Sequence, residues 1–464
     1  MSGVVDTAAV AAAAAMRTGS TRDERAGWLD ALADALEADR EGLVALAAEE
    51  TALASSRLDG EVSRTAAQLR FFAGVAREGS YLEATLDSPD PELIPPRPDL
   101  RRMLRPIGPV AVYTASNFPF AFSVLGNDTA SALAAGCAVV VKAHPGHPRL
   151  SRRTTELALS VLPAGMLSLV EGLDAGVELV RHPAVAAAGF TGSARGGRAL
   201  FDLAAARPAP IPFYGELGSI NPVVVTEAAA EARGAEIGAG LVASFTRDAG
   251  QYCTKPGLVF LPEGGEVARA AREALGTAPA SRQLTAGMST AFAAGVAGYG
   301  ALPGVELVRA APADGSLSAP TLALVDGAAF LAHREALLTE CFGPVSVLVR
   351  YRAGQLDTLL GALEPSLTAT IHRAAGEDVA ALSARLAEIA GRLLFDGWPT
   401  GVAIGWAQHH GGAWPATTAS VHTSVGATAI RRWLTPIAYQ DAPQEVLPPE
   451  LRDGNPLRIP RRES

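Results

Sequence analysis

The sequence predicts an α/β protein built on two parallel sheets, each covered by helices on both faces. Three features carry that expectation. Between residues 109 and 190, short apolar runs such as Ala138-Val139-Val140-Val141 alternate with helical stretches, and continuous apolar strands belong to sheets buried on both sides. A second series, Val345 to Val349, Thr368 to Ile371 and Arg392 to Phe395, suggests another such unit. At 464 residues the chain is long enough for two or three domains with sizeable cores.

Taken in order, Trp28, Leu29, Leu32, Leu36, Leu43 and Leu46 recur at three- and four-residue steps and predict a helix over 21–50. Val62, Ala66, Leu69, Phe72 and Val75 predict a second over 60–77. The prolines of Ser88 to Pro98 suit neither helix and read as a linker or arm. Strands are expected at 109–113, 138–142, 166–170 and 187–190, with a helix over 124–135. Ligands of such sheets lie beyond the carboxyl ends of the strands, where Asn117, Lys142 and Thr191-Gly192-Ser193 fall. The turn Thr191 to Gly197 opens a helix running through Leu203, so its free N–H groups offer a phosphate seat; an ordinary N-cap by Ser193 is the alternative. Pro210 to Gly218 brings Glu216 out of an apolar strand into a glycine turn, as a functional carboxylate or as a cap or ion-pair partner. A strand over 221–225 and a helix over 228–245 follow.

The segment Ala249 to Gly257 then places Cys253 among glycines, Gln251, Thr254 and Pro256. Nothing in it is periodic or apolar enough for a core, so it presents a thiol or merely seats a small residue in a tight turn. A strand over 258–261 and a helix over 267–275 come next, and the Pro- and Arg-rich tail over 446–464 reads as extended on a surface or a partner subunit. The net charge of -9 argues against nucleic acid as a partner. Three cysteines, an odd and sparse set, point to free thiols in a reducing compartment. No apolar run approaches the roughly 18 residues of a membrane span, and Ala8 to Met16 lacks the cationic lead-in of a secretory signal. A soluble, cytoplasmic protein is expected.

These loops, in this order, resemble the aldehyde dehydrogenase superfamily. Ser116-Asn117-Phe118-Pro119 matches its Asn-Phe-Pro loop, Phe190-Thr191-Gly192-Ser193 the turn under the cofactor pyrophosphate, and Lys142 the lysine on the cofactor ribose. Glu216-Leu217-Gly218 matches the general-base motif, Gly250-Gln251-Tyr252-Cys253 the nucleophile motif, and Glu340-Cys341-Phe342-Gly343-Pro344 the segment holding the nicotinamide ribose and ring. Gly126 to Cys137, Lys142-Ala143-His144-Pro145, Gly218 to Pro222, Gly397 to Val402, His410-Gly411-Gly412 and Thr423 to Gly426 resemble one branch, the 2,5-dioxovalerate (α-ketoglutarate semialdehyde) dehydrogenases, which also holds NADP-dependent fatty aldehyde dehydrogenases.

The resemblance implies two parallel-sheet domains and a small oligomerisation arm. The expected boundaries are 1–83 with 103–215 for the cofactor, 216–427 for catalysis, and 84–102 with 428–464 for arm and tail, in a homodimer or homotetramer. It implies a small aldehyde as substrate, no metal, Cys253 as nucleophile, Asn117 and the Cys253 N–H as oxyanion donors, and Glu216 as base, its carboxyl raised towards neutrality by desolvation. Lys142, His144, Gly192, Ser193, Arg195, Gly197, Leu217, Glu340 and Phe342 would bind NADP or NAD. NADP is preferred because Pro145 stands where NAD-preferring members carry a ribose-binding Glu, and Arg195 could meet the 2′-phosphate; His147 and Arg149 are further candidates. A cysteine hydrolase pairing Cys253 with His409 or His410, and a CoA-acylating dehydrogenase, are the rival readings. Arg247-Asp248, Lys255 and Asp396 depart from the branch. Lys255 either lowers the Cys253 pKa or points away from it, and Arg247 is the candidate for a substrate carboxylate.

Overall fold

The first sheet of the computed structural model, which describes residues 3–310 and 317–464, has five parallel strands. Their order is Leu167–Val170, Val139–Lys142, Val110–Tyr113, Ala187–Thr191, Phe213–Glu216. Every residue of Val110–Tyr113 and Val139–Lys142 is buried, as uninterrupted apolar runs require. The chain winds outward in one direction from Val110–Tyr113 and then in the other. The crevice at that reversal opens beyond Tyr113 and Thr191, beside Asn117 and the glycine turn.

The second sheet has seven strands, in the order Glu306–Arg309, Thr321–Asp326, Val345–Tyr351, Leu258–Pro262, Pro222–Val225, Ser366–His372, Ala390–Phe395. All are parallel except the edge strand Glu306–Arg309. The proline-rich crossing and the tail meet in a third sheet, where Leu100–Pro106 pairs antiparallel with Leu434–Gln440 and with Thr85–Asp87. The tail strand Arg462–Glu463 completes it beside Thr85–Leu86, so part of the tail lies on its own chain.

Three helices depart from the sequence reading. The predicted helix over 21–50 is two, Arg22–Ala38 and Arg40–Thr51, broken where Asp39 leaves helical geometry. The first starts on a Thr21–Glu24 capping box and fully buries Leu29, Leu32 and Leu36, worth about 2 kcal/mol each. Gly3–Thr18 is also a helix, with Val5, Ala8, Ala9 and Ala12 buried. The helix expected from Gly60 begins at Ser55 and runs to Glu78, and its added turn contains Arg57, which reaches the site. No helix among the described residues is long and apolar enough to cross a membrane.

Candidate active site

Two loops and one strand end converge. Glu216 is the last residue of Phe213–Glu216 in the first sheet, whereas Cys253 lies on the loop entering Leu258–Pro262 in the second. That loop turns through three successive positive φ values, 47° at Asp248, 59° at Ala249 and 67° at Gly250. A Cβ on Gly250 would sit 2.3 Å from the Gly343 carbonyl carbon, so only glycine brings this loop against the Phe342-Gly343 turn. Asn221 holds the loop from below, donating from Nδ2 to the Cys253 carbonyl at 2.7 Å and the Lys255 carbonyl at 2.9 Å.

The Asn117 loop is clamped by the helix Ser55–Glu78. Glu61 Oε1 accepts the N–H groups of Phe120 and Ala121, both at 2.9 Å. Arg57 donates to the Asn117 carbonyl at 2.8 Å and to Asp248 at 2.9 Å, tying both loops to one helix. Asp248 also accepts from the Tyr252 hydroxyl at 2.5 Å, so this departure from the branch pattern anchors the residue before the cysteine. Asn117 Nδ2 donates to the Gln251 carbonyl at 2.9 Å, which brings its amide beside the cysteine loop. Asp396 accepts from Arg233 and from the Arg373 N–H.

Cys253, Glu216 and Asn117 line one cavity of about 620 Å³ together with Lys142, His144, Gly192, Ser193, Leu217, Glu340 and Phe342. Pro145 lines it too. The Lys142 ammonium makes no hydrogen bond or ion pair among the described residues, and burial lowers its pKa, leaving a cation in need of a partner. Ser193 caps the helix Ala194–Ala205, accepting from Gly196 N, so the N-cap reading holds and the helix start still faces the cavity. Gly197 is buried beneath, where a Cβ would lie 2.1 Å from Leu217 Cδ2; its part is close packing. Arg195 is exposed and does not line the cavity. His147 is buried against the Ala115 carbonyl, and Arg149 pairs with Glu49. Burial, with His147 and Lys142 alongside, pulls His144 down to about 3, so it faces the cavity as a neutral ring.

His410 is the residue that the sequence reading weighed only as a hydrolase partner. It is 1% exposed, and its Nε2 lies 2.8 Å from Glu216 Oε1 and 3.5 Å from Cys253 Sγ. Because an ionised carboxylate only accepts, the shorter contact places the hydrogen on Nε2. The Ser424 hydroxyl donates to the other oxygen, Glu216 Oε2. Burial alone would raise the Glu216 carboxyl, but the His410 imidazole and these hydrogen bonds outweigh it and hold the group below its ordinary range. That corrects the expectation of a base raised towards neutrality. Burial of the sulfur, reinforced by the Glu216 carboxylate, pushes the Cys253 thiol well up. The three ligating atoms lie within 4.8 Å of one another, close enough to share a proton or a divalent ion. The signal for His410 was present in His410-Gly411-Gly412 and Thr423 to Gly426: Glu216 bridges Thr417, and Leu217 N donates to Ala416 O at 2.8 Å, so this segment runs along the glutamate strand.

Lys255 does not face the thiol. Its buried Nζ donates to the Cys341 and Val345 carbonyls, both at 2.8 Å, which fastens the Glu340–Phe342 turn to the cysteine loop. Glu340, beside Lys255 and Cys341, is raised to about 7 by burial of its carboxyl, with Lys255 opposing.

Residues 3–296 match the aldehyde dehydrogenase family. The chain belongs to that family. The dehydrogenase is 46% identical over 455 residues to alpha-ketoglutaric semialdehyde dehydrogenase 2 of Azospirillum brasilense, covering 94% of this chain and 86% of the relative. It is 42% identical over 458 residues to the alpha-ketoglutaric semialdehyde dehydrogenase of Acinetobacter baylyi, covering 95% and 87%. Among solved structures it resembles proline utilization A of Bradyrhizobium japonicum in fold, with a TM-score of 0.81 at 24% identity. That match covers 94% of this dehydrogenase and 44% of the length of the larger protein. As an aldehyde dehydrogenase, it is an oxidoreductase acting on aldehydes with NAD(P). The family is one of dehydrogenases, not of cysteine hydrolases.

Proposed function

We propose that the protein oxidises 2,5-dioxopentanoate to 2-oxoglutarate, and that Cys253, Glu216 and Asn117 carry the reaction. The observation that supports this most is the meeting of thiol, carboxylate and amide at one cavity whose walls also carry an unpaired lysine and a free helix start. The full-length likeness to two α-ketoglutaric semialdehyde dehydrogenases supports the substrate.

In this reading Cys253 loses its proton to solvent and attacks the aldehyde carbon as thiolate. The Asn117 amide and the Cys253 N–H stabilise the oxyanion, each such donor being worth about 3 kcal/mol. NAD(P), when bound, supplies the hydride acceptor. Lys142, His144, the Gly192-Ser193 turn, Leu217, Glu340 and Phe342 hold it, without metal. Glu216, held by His410 and Ser424, then takes a proton from the water that hydrolyses the thioester on Cys253. Residues 1–83 with 103–215 serve the cofactor and 216–427 the chemistry, and the third sheet, whose strand Leu434–Gln440 has a free edge, joins subunits of a homodimer or homotetramer.

Cofactor choice follows from Pro145. A carboxylate about 4 Å from a 2′-phosphate would repel it by roughly 4 kcal/mol per charge pair at an effective dielectric of 20, before screening. No such carboxylate stands here, so NADP is used at least as well as NAD. Pro145→Glu shifts the ratio of kcat/KM for NADP over NAD downward by about tenfold or more, and Arg195→Ala raises KM for NADP more than for NAD. Absorbance at 340 nm with 2,5-dioxopentanoate and both cofactors checks this and the substrate together. A wild type selective for NAD and unmoved by either change would sink the cofactor reading. Inactivity on the semialdehyde would sink the substrate.

Glu340 adds a pH dependence. Its carboxyl accepts ribose hydroxyls far more strongly when ionised, and its pKa of about 7 means that ionisation grows as pH rises through neutrality. Cofactor affinity therefore tightens by about an order of magnitude between pH 6 and pH 8. Fluorescence titration of cofactor checks it, and Glu340→Gln should flatten the profile; an equally steep profile in that variant assigns the titration elsewhere.

A further inference from the structure

The helix Ser55–Glu78 turns Arg57, Glu61, Arg64 and Gln68 to one face, the face that clamps the Asn117 loop. Arg57 and Glu61 are bonded to that loop as described, and Gln68 Nε2 donates to the Ala121 carbonyl at 3.2 Å. Arg64 makes no hydrogen bond or ion pair among the described residues. Its Nε and Nη2 are buried without a partner. Holding those two nitrogens out of water without a partner is costly. The guanidinium lies over aromatic rings, 5.7 Å from the centroid of Phe118 and 5.8 Å from that of Phe122. Phe118 in turn packs edge-on against Tyr252 at 5.3 Å, the residue before Cys253, and the Arg64 charge lies within electrostatic reach of the sulfur.

We propose that Arg64 is the anion subsite of the substrate: it receives the carboxylate at the far end of the semialdehyde while the aldehyde end reaches Cys253 past Phe118 and Phe122. The assignment rests on the reading of the substrate as a carboxylate-bearing semialdehyde. Arg247, the candidate from sequence, is exposed and lies 5.8 Å over the Tyr252 ring. Arg392, also within reach of the sulfur, is committed to the Pro399 and Gly401 carbonyls. Of these three, Arg64 is the one with unbonded guanidinium nitrogens beside two aromatic rings, and a carboxylate on a short carbon chain calls for both.

Steady-state kcat and KM of wild type, Arg64→Gln and Arg64→Lys with 2,5-dioxopentanoate, 4-oxobutanoate and the neutral pentanal test it. Arg64→Gln should lower the ratio of kcat/KM for the dioxo acid over pentanal about 100-fold, chiefly through KM, since a hydrogen bond to a charged partner is lost. Arg64→Lys should restore part of the ratio, and it carries the same comparison if the Gln variant does not accumulate. Equal losses on charged and neutral aldehydes, or an unmoved ratio, overturn the assignment in favour of a structural role. A wild type that ignores the dioxo acid but prefers 4-oxobutanoate to pentanal, and loses that preference in Arg64→Gln, overturns the proposed substrate and upholds Arg64.

Discussion

Cys253→Ser lowers NAD(P)H formation by more than about a thousandfold with every aldehyde, while cofactor affinity stays within about twofold. The sulfur's hydrogen-bonding neighbours are His410 and Glu216, whereas it bonds to neither Lys142, His144 nor the Gly192-Ser193 turn, which line the same cavity. A serine hydroxyl in the same place meets the same carboxylate and imidazole, but its oxygen is a far poorer nucleophile at neutral pH. Initial rates at 340 nm and fluorescence titration of cofactor give the two readings. Turnover above a hundredth of wild type would remove Cys253 from the chemistry.

Glu216→Gln separates the two halves of the reaction. Acylation leaves a thioester on Cys253, and without the carboxylate no group takes the proton of the hydrolytic water. The expected trace is a burst of about one NAD(P)H per site, then a steady state slower by about a hundred- to ten-thousandfold. Because His410 and Ser424 hold the Glu216 carboxyl below its ordinary range, it stays ionised as pH falls through the usual carboxylate values. The wild-type hydrolytic step should therefore keep its base at pH 5. Rapid-mixing kinetics with acid-quenched detection of the acyl enzyme decides the matter. A variant that shows no burst and fails to transfer hydride would place Glu216 in the first half-reaction alone.

The strands could be read from the sequence because burial on both faces leaves uninterrupted apolar runs such as Val139 to Val141, which few other environments tolerate. The loops could be read because their residue types are rare in cores, Cys253 between glycines above all. Helix ends were less accessible: the break at Asp39 depends on a local backbone angle, and the start at Ser55 lies among residues with no apolar periodicity. The expectation for Glu216 failed for a different reason. Its apolar lead-in does bury the carboxyl, but the imidazole that reverses the effect lies 194 residues further along, a separation that no local pattern reports. Lys255 shows the same limit. Two residues from the thiol in sequence, it is turned through the loop onto the Cys341 and Val345 carbonyls. Nothing in the sequence singles out Arg64; its unbonded nitrogens become visible only when every neighbour is in place.

The raised pKa of the Cys253 thiol has a bearing on the survival of the protein between turnovers. Peroxide and electrophiles attack thiolates, and a thiol pushed well above its usual pKa offers very little thiolate at rest. Cys253 should thus react slowly with peroxide or iodoacetamide in the idle protein, more slowly than a cysteine of ordinary pKa. A dehydrogenase so built carries its own protection against oxidative damage, in the position of a proton rather than in a disulfide or a covering segment.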